Sequence, residues 1–334
     1  MNIKKCKDGG CNLLVITNNI YDVDIEGIFN ILPVVEGRDY FKKIYVATVS
    51  SDDNARLLHI KQDTIEAKRF DVEHNYENND WWYLDNETIQ VDSLDIVLLM
   101  IDRINTGHRI MLKENFKHSL MVNDPLGINL TANKKYLLNF GGLTPVSQLI
   151  NSSEGLDSFI ELVGEVVLKP LDSNGGRGLV RVNNASIYFE DRECTYKDGI
   201  DEVHLRIERE AMLGMEYLDG VREGDKRIIV CDGKVIATIL RKPKGGSWLC
   251  NLSMGGTFEI GVEVTSDEVV IIDRVSLDLE DKGIFIYGLD TLFDNKKQKR
   301  VLSEINTSNV GGILNPEITT KYVDGLIEYI NQRI

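Results

Sequence analysis

The chain has 334 residues, 38 basic against 53 acidic, with 43% apolar and 27% charged residues and a formal net charge of −15. That balance excludes a disordered chain and argues against a surface built for nucleic-acid phosphates or anionic lipid, so neither a nucleic acid nor a membrane is expected as partner. An anionic small ligand stays open, because a local basic pocket can sit inside an acidic surface.

The length suggests two or three domains, α/β in class. No apolar run approaches the roughly 18–20 residues of a membrane span. The basic start, MNIKKCKDGGC, is not followed by the apolar core of a signal peptide. Five cysteines (Cys6, Cys11, Cys194, Cys231, Cys250) are odd in number and lack CxxC spacing, which suits reduced thiols in the cytoplasm.

In chain order, apolar runs bounded by polar residues predict strands at 12–17, 43–49 and 95–101. A helix is expected over 22–42, so the first part reads as a βαβ-type unit; its stretch 63–93 is polar and carries Trp81 and Trp82. A short strand at 119–125, a helix at 129–140 and another at 155–163 follow. Strands are then expected at 165–169 and 178–182, and a hairpin pairs 227–231 with 234–240 around Asp232-Gly233. A helix at 265–282, strands at 284–289 and 300–305, and a helix at 317–332 complete the chain. Most of the 28 glycines fall after residue 140, which marks the second part as rich in tight turns and loops that approach a ligand.

Four constellations could carry chemistry. In Leu168-Lys-Pro-Leu-Asp-Ser-Asn-Gly-Gly-Arg-Gly-Leu179 a strand delivers Lys169 into a glycine-rich turn. Such a turn lets backbone N–H groups approach phosphate oxygens, or is simply a flexible hairpin loop; it is no P-loop, since GxxxxGK[ST] is absent. Glu304 and Asn306, two apart on a strand, share a face with Asp290 on the neighbouring one, either as hard oxygen ligands for Mg2+ or as a solvated sheet face. Arg227 in Gly224-Asp-Lys-Arg227 and Arg241 at the far end of the hairpin could grip a phosphate or carboxylate, or form an exposed basic turn. Met215-Glu-Tyr-Leu218 could be an adenine hinge or an ordinary edge strand. The five histidines show no metal or catalytic spacing, and no serine or cysteine nucleophile motif stands out.

The order of these segments resembles the bacterial glutathione synthetases of the ATP-grasp superfamily. Asn133-Lys-Lys135, LKPLDSNGGRG, MEYL, EGDKRIIVCDGK, LRKP with Asn251-LSMGG256, GLD290 and SEIN306-TS carry the likeness, from about Asn123 to Ile313. The resemblance implies an ATP-grasp fold in two parts: an N-terminal pre-ATP-grasp substrate domain at 1–122, and a nucleotide-binding and catalytic domain at 123–334 with two lobes and a flexible lid at about 244–255. It implies that ATP converts a carboxylate to an acyl phosphate and an amine displaces phosphate to form an amide, with Mg2+, or Mn2+ in its place, as metal. By the same resemblance, Lys135, Lys169, Asp172, Gly175, Gly176, Gly178 and Asp225 bind the nucleotide, and Glu216, Tyr217 and Leu218 form its adenine hinge. Arg227, Arg241 and Lys169 are the catalytic cations, and Asp290, Glu304 and Asn306 hold the metal. Arg241, Asn251, Ser308, Gly311 and Gly312 then face the substrate.

Three departures from the family pattern fall on substrate-facing segments. Ile101-Asp-Arg-Ile-Asn105 stands for Arg-Lys-Asp-Pro-Pro, Leu249-Cys-Asn251 after Trp248 for Arg-Gly-Asn, and Thr307-Ser-Asn-Val-Gly311-Gly312 for Thr-Ser-Pro-Thr-Gly. The expected partners are therefore a small carboxylate and a small amine whose identity is open, and the chain could form a homo-oligomer. Alternatives are a peptide or amino-acid ligase of another small-metabolite pathway, or a non-catalytic nucleotide-binding regulator on the same fold.

Overall fold

The computed structural model describes residues 10–18, 25–49, 54–70, 86–101, 104–173, 177–243, 248, 257–308, 310–311 and 315–334. Trp81, Trp82, Gly175, Gly176, Asn251, Gly312 and the lid apart from Trp248 lie outside these. Three sheets organise the described residues.

The first sheet orders its strands β4-β3-β2-β1-β5-β6. It comprises β1 (Cys11–Thr17), β2 (Phe41–Thr48), β3 (Thr64–Phe70), β4 (Glu87–Gln90), β5 (Ile96–Met100) and β6 (Leu120–Val122), with α1 (Ile25–Glu36) crossing from β1 to β2 and α2 (Thr106–Asn115) from β5 to β6. β1, β2, β5 and β6 run parallel, and β3 and β4 add an antiparallel edge. β1 is buried along nearly its whole length, as a strand covered on both faces must be. The helix expected over 22–42 stops at Glu36, because the turn at Gly37 to Asp39 takes Asp39 to φ 50° and Phe41 already begins β2. The polar stretch 63–93 includes β3 and β4, whose Ile65, Ala67 and Ile89 are buried. Cys11 is disulfide-bonded, whereas Cys194 and Cys231 are free, so the expectation of reduced thiols throughout does not hold at the start of β1.

The expected helix at 129–140 is two pieces. α3 (Pro125–Thr131) starts with Asp124 as cap and Pro125 in its first turn. A 3-10 turn then spans Lys134–Phe140, because the Asn133 side chain accepts from Lys135 N–H and restarts the winding. The second sheet is antiparallel, ordered β11-β10-β9-β8-β12-β7. Its strands are β7 (Ser147–Ile150), β8 (Glu165–Pro170), β9 (Val180–Asn183), β10 (Ser186–Tyr188), β11 (Glu193–Thr195) and β12 (Met212–Glu216), with α4 (Ser153–Val163) and α5 (Tyr196–Arg209) on one face. Met215 and Glu216 thus end an interior strand, not an edge one.

The third sheet, β15-β14-β13-β16-β17, is antiparallel throughout. It contains β13 (Asp225–Cys231), β14 (Lys234–Lys242), β15 (Thr257–Ile260), β16 (Ile286–Asp294) and β17 (Lys299–Asn306). α6 (Ser266–Glu280) covers the face of Ile228, Val230 and Leu289, and α7 (Pro316–Asn331) packs with Ile229, Cys231 and α1 on the other. Asn123, 5% exposed, joins the first sheet to the third. Its Oδ1 accepts from Phe285 N and Ile286 N at 2.8 and 2.9 Å, and its Nδ2 donates to Ile286 O and Thr307 O at 2.7 and 2.9 Å.

Candidate active site

The α7-facing side of the third sheet continues beyond that helix into an open cleft. Alternation along the strands puts Asp225 and Arg227 of β13 on this face, and the register sets Arg227 opposite Asp290 and Asp290 opposite Glu304. Asp225 pairs across the hairpin with Arg241. Gly224 makes the entry possible. It sits at φ 107°, and a Cβ there would lie 2.8 Å from Leu240 Cδ1 and 2.9 Å from Arg241 O.

Four of these side chains interlock. Arg227 donates Nε–H to Asp290 Oδ1 and Nη2–H to Asp290 Oδ2, both at 2.8 Å, a bidentate fork, and Nη1–H to Val310 O at 3.1 Å. Arg241 Nη2 lies 3.0 Å from Asp290 Oδ2 and donates to Asp225 Oδ2 at 2.5 Å. Burial works against ionising Asp290, but Arg227 and Arg241 prevail and hold its carboxyl well below the usual range. Asp225 goes the other way: burial, reinforced by the charge of Asp290, pushes it up to about 6. Among the described residues Asp225 Oδ1 and Arg241 Nε are buried without a partner, so the cleft offers one acceptor and one donor to a ligand.

The second sheet forms the opposite wall through Val167, Lys169 and Met215, while Leu218 and Val221 add apolar surface. Lys169 donates to Ser303 O at 3.0 Å, and burial lowers its pKa. Glu216, Tyr217 and Leu218 line the same cleft. Glu216 accepts from Lys296 at 2.6 Å, and the Arg181 guanidinium stacks 3.7 Å from the Tyr217 ring centre while its Nε donates to Glu165 at 2.7 Å. Trp248 also reaches the lining.

Other expected positions stand apart. Lys135 is exposed; its neighbour Lys134 is the buried one, donating to Ser173 O with Nζ 3.5 Å from Glu304 Oε1. The burial of Lys134, Leu137 and Phe140 follows the three-residue period of a 3-10 turn, the signal that singles out Lys134. Asp172 is exposed and accepts from Asn133 Nδ2 at 2.8 Å. Gly178 sits at φ 75° against Pro170, its N–H donating to Glu190. Ser308 is half-buried, and Gly311 lies beside the Arg227 guanidinium. Neither Arg181, Lys296 nor Lys134 was singled out from sequence.

Among the described residues no three His, Cys, Asp or Glu side chains close into a metal cage. Asp290 and Glu304 pair across β16 and β17, and Asn306, facing the same way, donates to Asp290 Oδ2 at 3.5 Å. Two carboxylates and an amide are hard oxygen donors that suit Mg2+ when phosphates complete its shell.

A lysine on one sheet, facing a quartet of two arginines and two carboxylates on another across a shared cleft, is the arrangement of an ATP-grasp ligase. D-Cycloserine synthetase DcsG superposes with a TM-score of 0.65 at 10% identity, over 95% of this chain and 99% of that one. The D-alanine–D-alanine ligase of Bacillus anthracis complexed with ATP gives 0.58 at 13%, over 97% and 98%. These likenesses establish the fold. The model of the prokaryotic glutathione synthetase ATP-grasp domain matches residues 133–321, more than half the chain, which therefore belongs to that family. A glutathione synthetase of Agrobacterium fabrum is 28% identical over 233 residues, 68% of each chain. One of Vibrio parahaemolyticus is 28% identical over 282 residues, 80% of this chain and 84% of the relative. The chain is an ATP-dependent ligase that forms a carbon–nitrogen bond. No described helix is long and apolar enough to cross a membrane.

Proposed function

We propose that this ligase phosphorylates a small carboxylate in the cleft between the second and third sheets and joins it to an amine other than the family's usual partner. The carrying observation is the charge layout. Lys169 faces Arg227 and Arg241 across a cleft that also presents Asp225, Asp290 and Glu304.

In this reading a carboxylate oxygen of the substrate attacks the γ-phosphorus of ATP, and ADP leaves. The amine nitrogen then attacks the acyl carbon, the carbon–oxygen bond to phosphate breaks, and the nitrogen gives up a proton. Lys169 and Lys134 offset phosphate charge from one wall; Arg227 and Arg241 do so from the other. Glu216, Tyr217 and Leu218 hold the base, with Arg181 steadying the Tyr217 ring. Asp290, Glu304 and Asn306 would hold Mg2+, or Mn2+, which supplies charge neutralisation on the β- and γ-phosphates. Apolar walls and Trp248 exclude water from the acyl phosphate. A cytoplasmic setting fits an enzyme that draws on ATP.

Trp248 in the lining, beside a lid that lacks the family's arginine, supports a partner more apolar than glycine. Losing one charge-assisted contact weakens the original ligand by about 1.5–3 kcal/mol, or roughly ten- to a hundredfold. Phosphate release is measured with ATP, Mg2+ and a panel of amino acids and dipeptides, with product masses read out. Release that needs both a carboxylate and an amine, with poor use of γ-glutamylcysteine plus glycine, is expected. Efficient use of that pair, at about 10⁴ M⁻¹s⁻¹ or more, refutes the substrate reading. Release that needs neither substrate refutes the ligase roles.

A further inference from the structure

The cleft quartet has a counterpart on the hidden side of the same sheet. Lys226, between Asp225 and Arg227, points away from the cleft, as alternation requires. Its Nζ donates to Glu268 Oε2 at 2.7 Å and to Glu263 O at 2.8 Å, and the two side chains are 3% and 0% exposed. Thr291 follows Asp290 across a bulge and donates Oγ1–H to the other Glu268 oxygen at 2.6 Å. Arg300 of β17 closes the group. Its Nε donates to Thr291 Oγ1 at 2.9 Å and lies 3.0 Å from Glu268 Oε1, while Nη2 donates to Thr291 O at 2.7 Å and Gly224 O at 3.0 Å. Glu268 also completes a capping box with Thr265 at the start of α6.

The grips this group makes on β13 and β16 fall next to cleft residues. Gly224 and Lys226 flank Asp225, Lys226 precedes Arg227, and Thr291 follows Asp290. Buried ionic groups are often no more stabilising than apolar ones of like volume, so stability alone is a weak account of this cluster. Control of position is a stronger one. A bulge loosens strand register at Asp290/Thr291, and Arg300 clamps both the carbonyl and the hydroxyl of the residue beyond it. We infer that Glu268, Thr291 and Arg300 form a positioning group that sets where Asp225, Arg227 and Asp290 stand, and thereby controls affinity for magnesium nucleotide without touching it. The inference rests on the reading that those three residues meet ATP.

Thr291→Val removes the hydroxyl at nearly constant volume; Thr291→Ser restores it. The full chain is titrated with Mg·AMP-PNP by calorimetry, and the Arg227 Nε–Hε signal is followed by 15N NMR, with circular dichroism and melting as controls. Thr291→Val should bind about five- to tenfold more weakly, the worth of one buried hydrogen bond, and should shift the Arg227 signal. Thr291→Ser should stay within about twofold of the native chain on the same scale. Should Thr291→Val not fold, Arg300→Lys carries the same expectation, because the single nitrogen of a lysine cannot hold the Gly224 and Thr291 carbonyls and also replace the Nε contact to Thr291 Oγ1. A variant that melts lower yet keeps native affinity and an unmoved Arg227 signal overturns the inference and leaves a purely structural cluster. A native chain that binds no Mg·AMP-PNP overturns the nucleotide reading itself.

Discussion

Replacing Asp225 by asparagine should make the ligand-free protein more stable at neutral pH and a poorer enzyme. Asparagine stands in for the protonated acid. Burial and the neighbouring Asp290 raise Asp225 from 3.8 to about 6, and each unit is worth about 1.36 kcal/mol, so ionising this residue costs the folded chain roughly 3 kcal/mol. The sign follows from linkage. A folded state that holds a proton more tightly than the unfolded chain gains stability that is complete below about 3.8 and lost as pH rises through about 6. Asp290, held down by Arg227 and Arg241, stays ionised in both folded proteins, so its own contribution cancels from the difference between them. Urea unfolding of both proteins at pH 4.5, 6 and 7.5 in magnesium-free buffer reads the difference. The variant should lead by about 1 kcal/mol at the lowest pH and by up to about 3 kcal/mol at the highest. A variant less stable than the native chain at pH 7.5, or a gap independent of pH, refutes the reasoning. Lower activity in the stabilised variant would be the usual exchange between stability and function at a strained site.

Two further substitutions separate neighbours. Lys134→Met should cut ATP-dependent phosphate release by about tenfold or more, as loss of a buried charge-assisted contact implies, while Lys135→Met should leave it near native; the reverse ranking in a kcat/KM assay would move the phosphate lysine to the exposed position. Glu304→Gln should abolish most turnover at limiting Mg2+ with an unchanged circular dichroism spectrum, and a native rate there removes Glu304 from the metal set.

Much of the third sheet was legible because its signals are local. The Asp232-Gly233 turn between two apolar runs announces the β13–β14 hairpin, and the two-residue spacing of Glu304 and Asn306 is enough to place them on one face. α5 escaped notice because charged residues dominate it, and only Gly199, Val203 and Ile207, four apart, are buried. α2 is similarly polar, with Leu112 and Asn115 its buried positions. The pairings that make the cleft could not be read from spacing at all. Arg227 meets Asp290 across 63 residues and Lys169 meets Ser303 across 134. The burial of Lys134 beside an exposed Lys135 has a local origin instead: motif order names Lys135, and the cap at Asn133 decides which of two adjacent lysines turns inward.

Asn123 has a mechanical consequence. A side-chain amide has two N–H donors and an oxygen with two lone pairs, and here both donors and both lone pairs are engaged with β16 and the Thr307 turn. A pivot needs some contact that can be surrendered and regained at little cost, and a buried amide with no idle valence offers none. The first sheet and the catalytic sheet are therefore coupled like two plates sharing a rivet, and the Thr307 turn is fixed to that rivet. The β7–β12 sheet is joined to the catalytic sheet differently, through contacts that can part and reform, namely the Lys169–Ser303 and Lys296–Glu216 hydrogen bonds and the apolar packing of Leu213 and Met215.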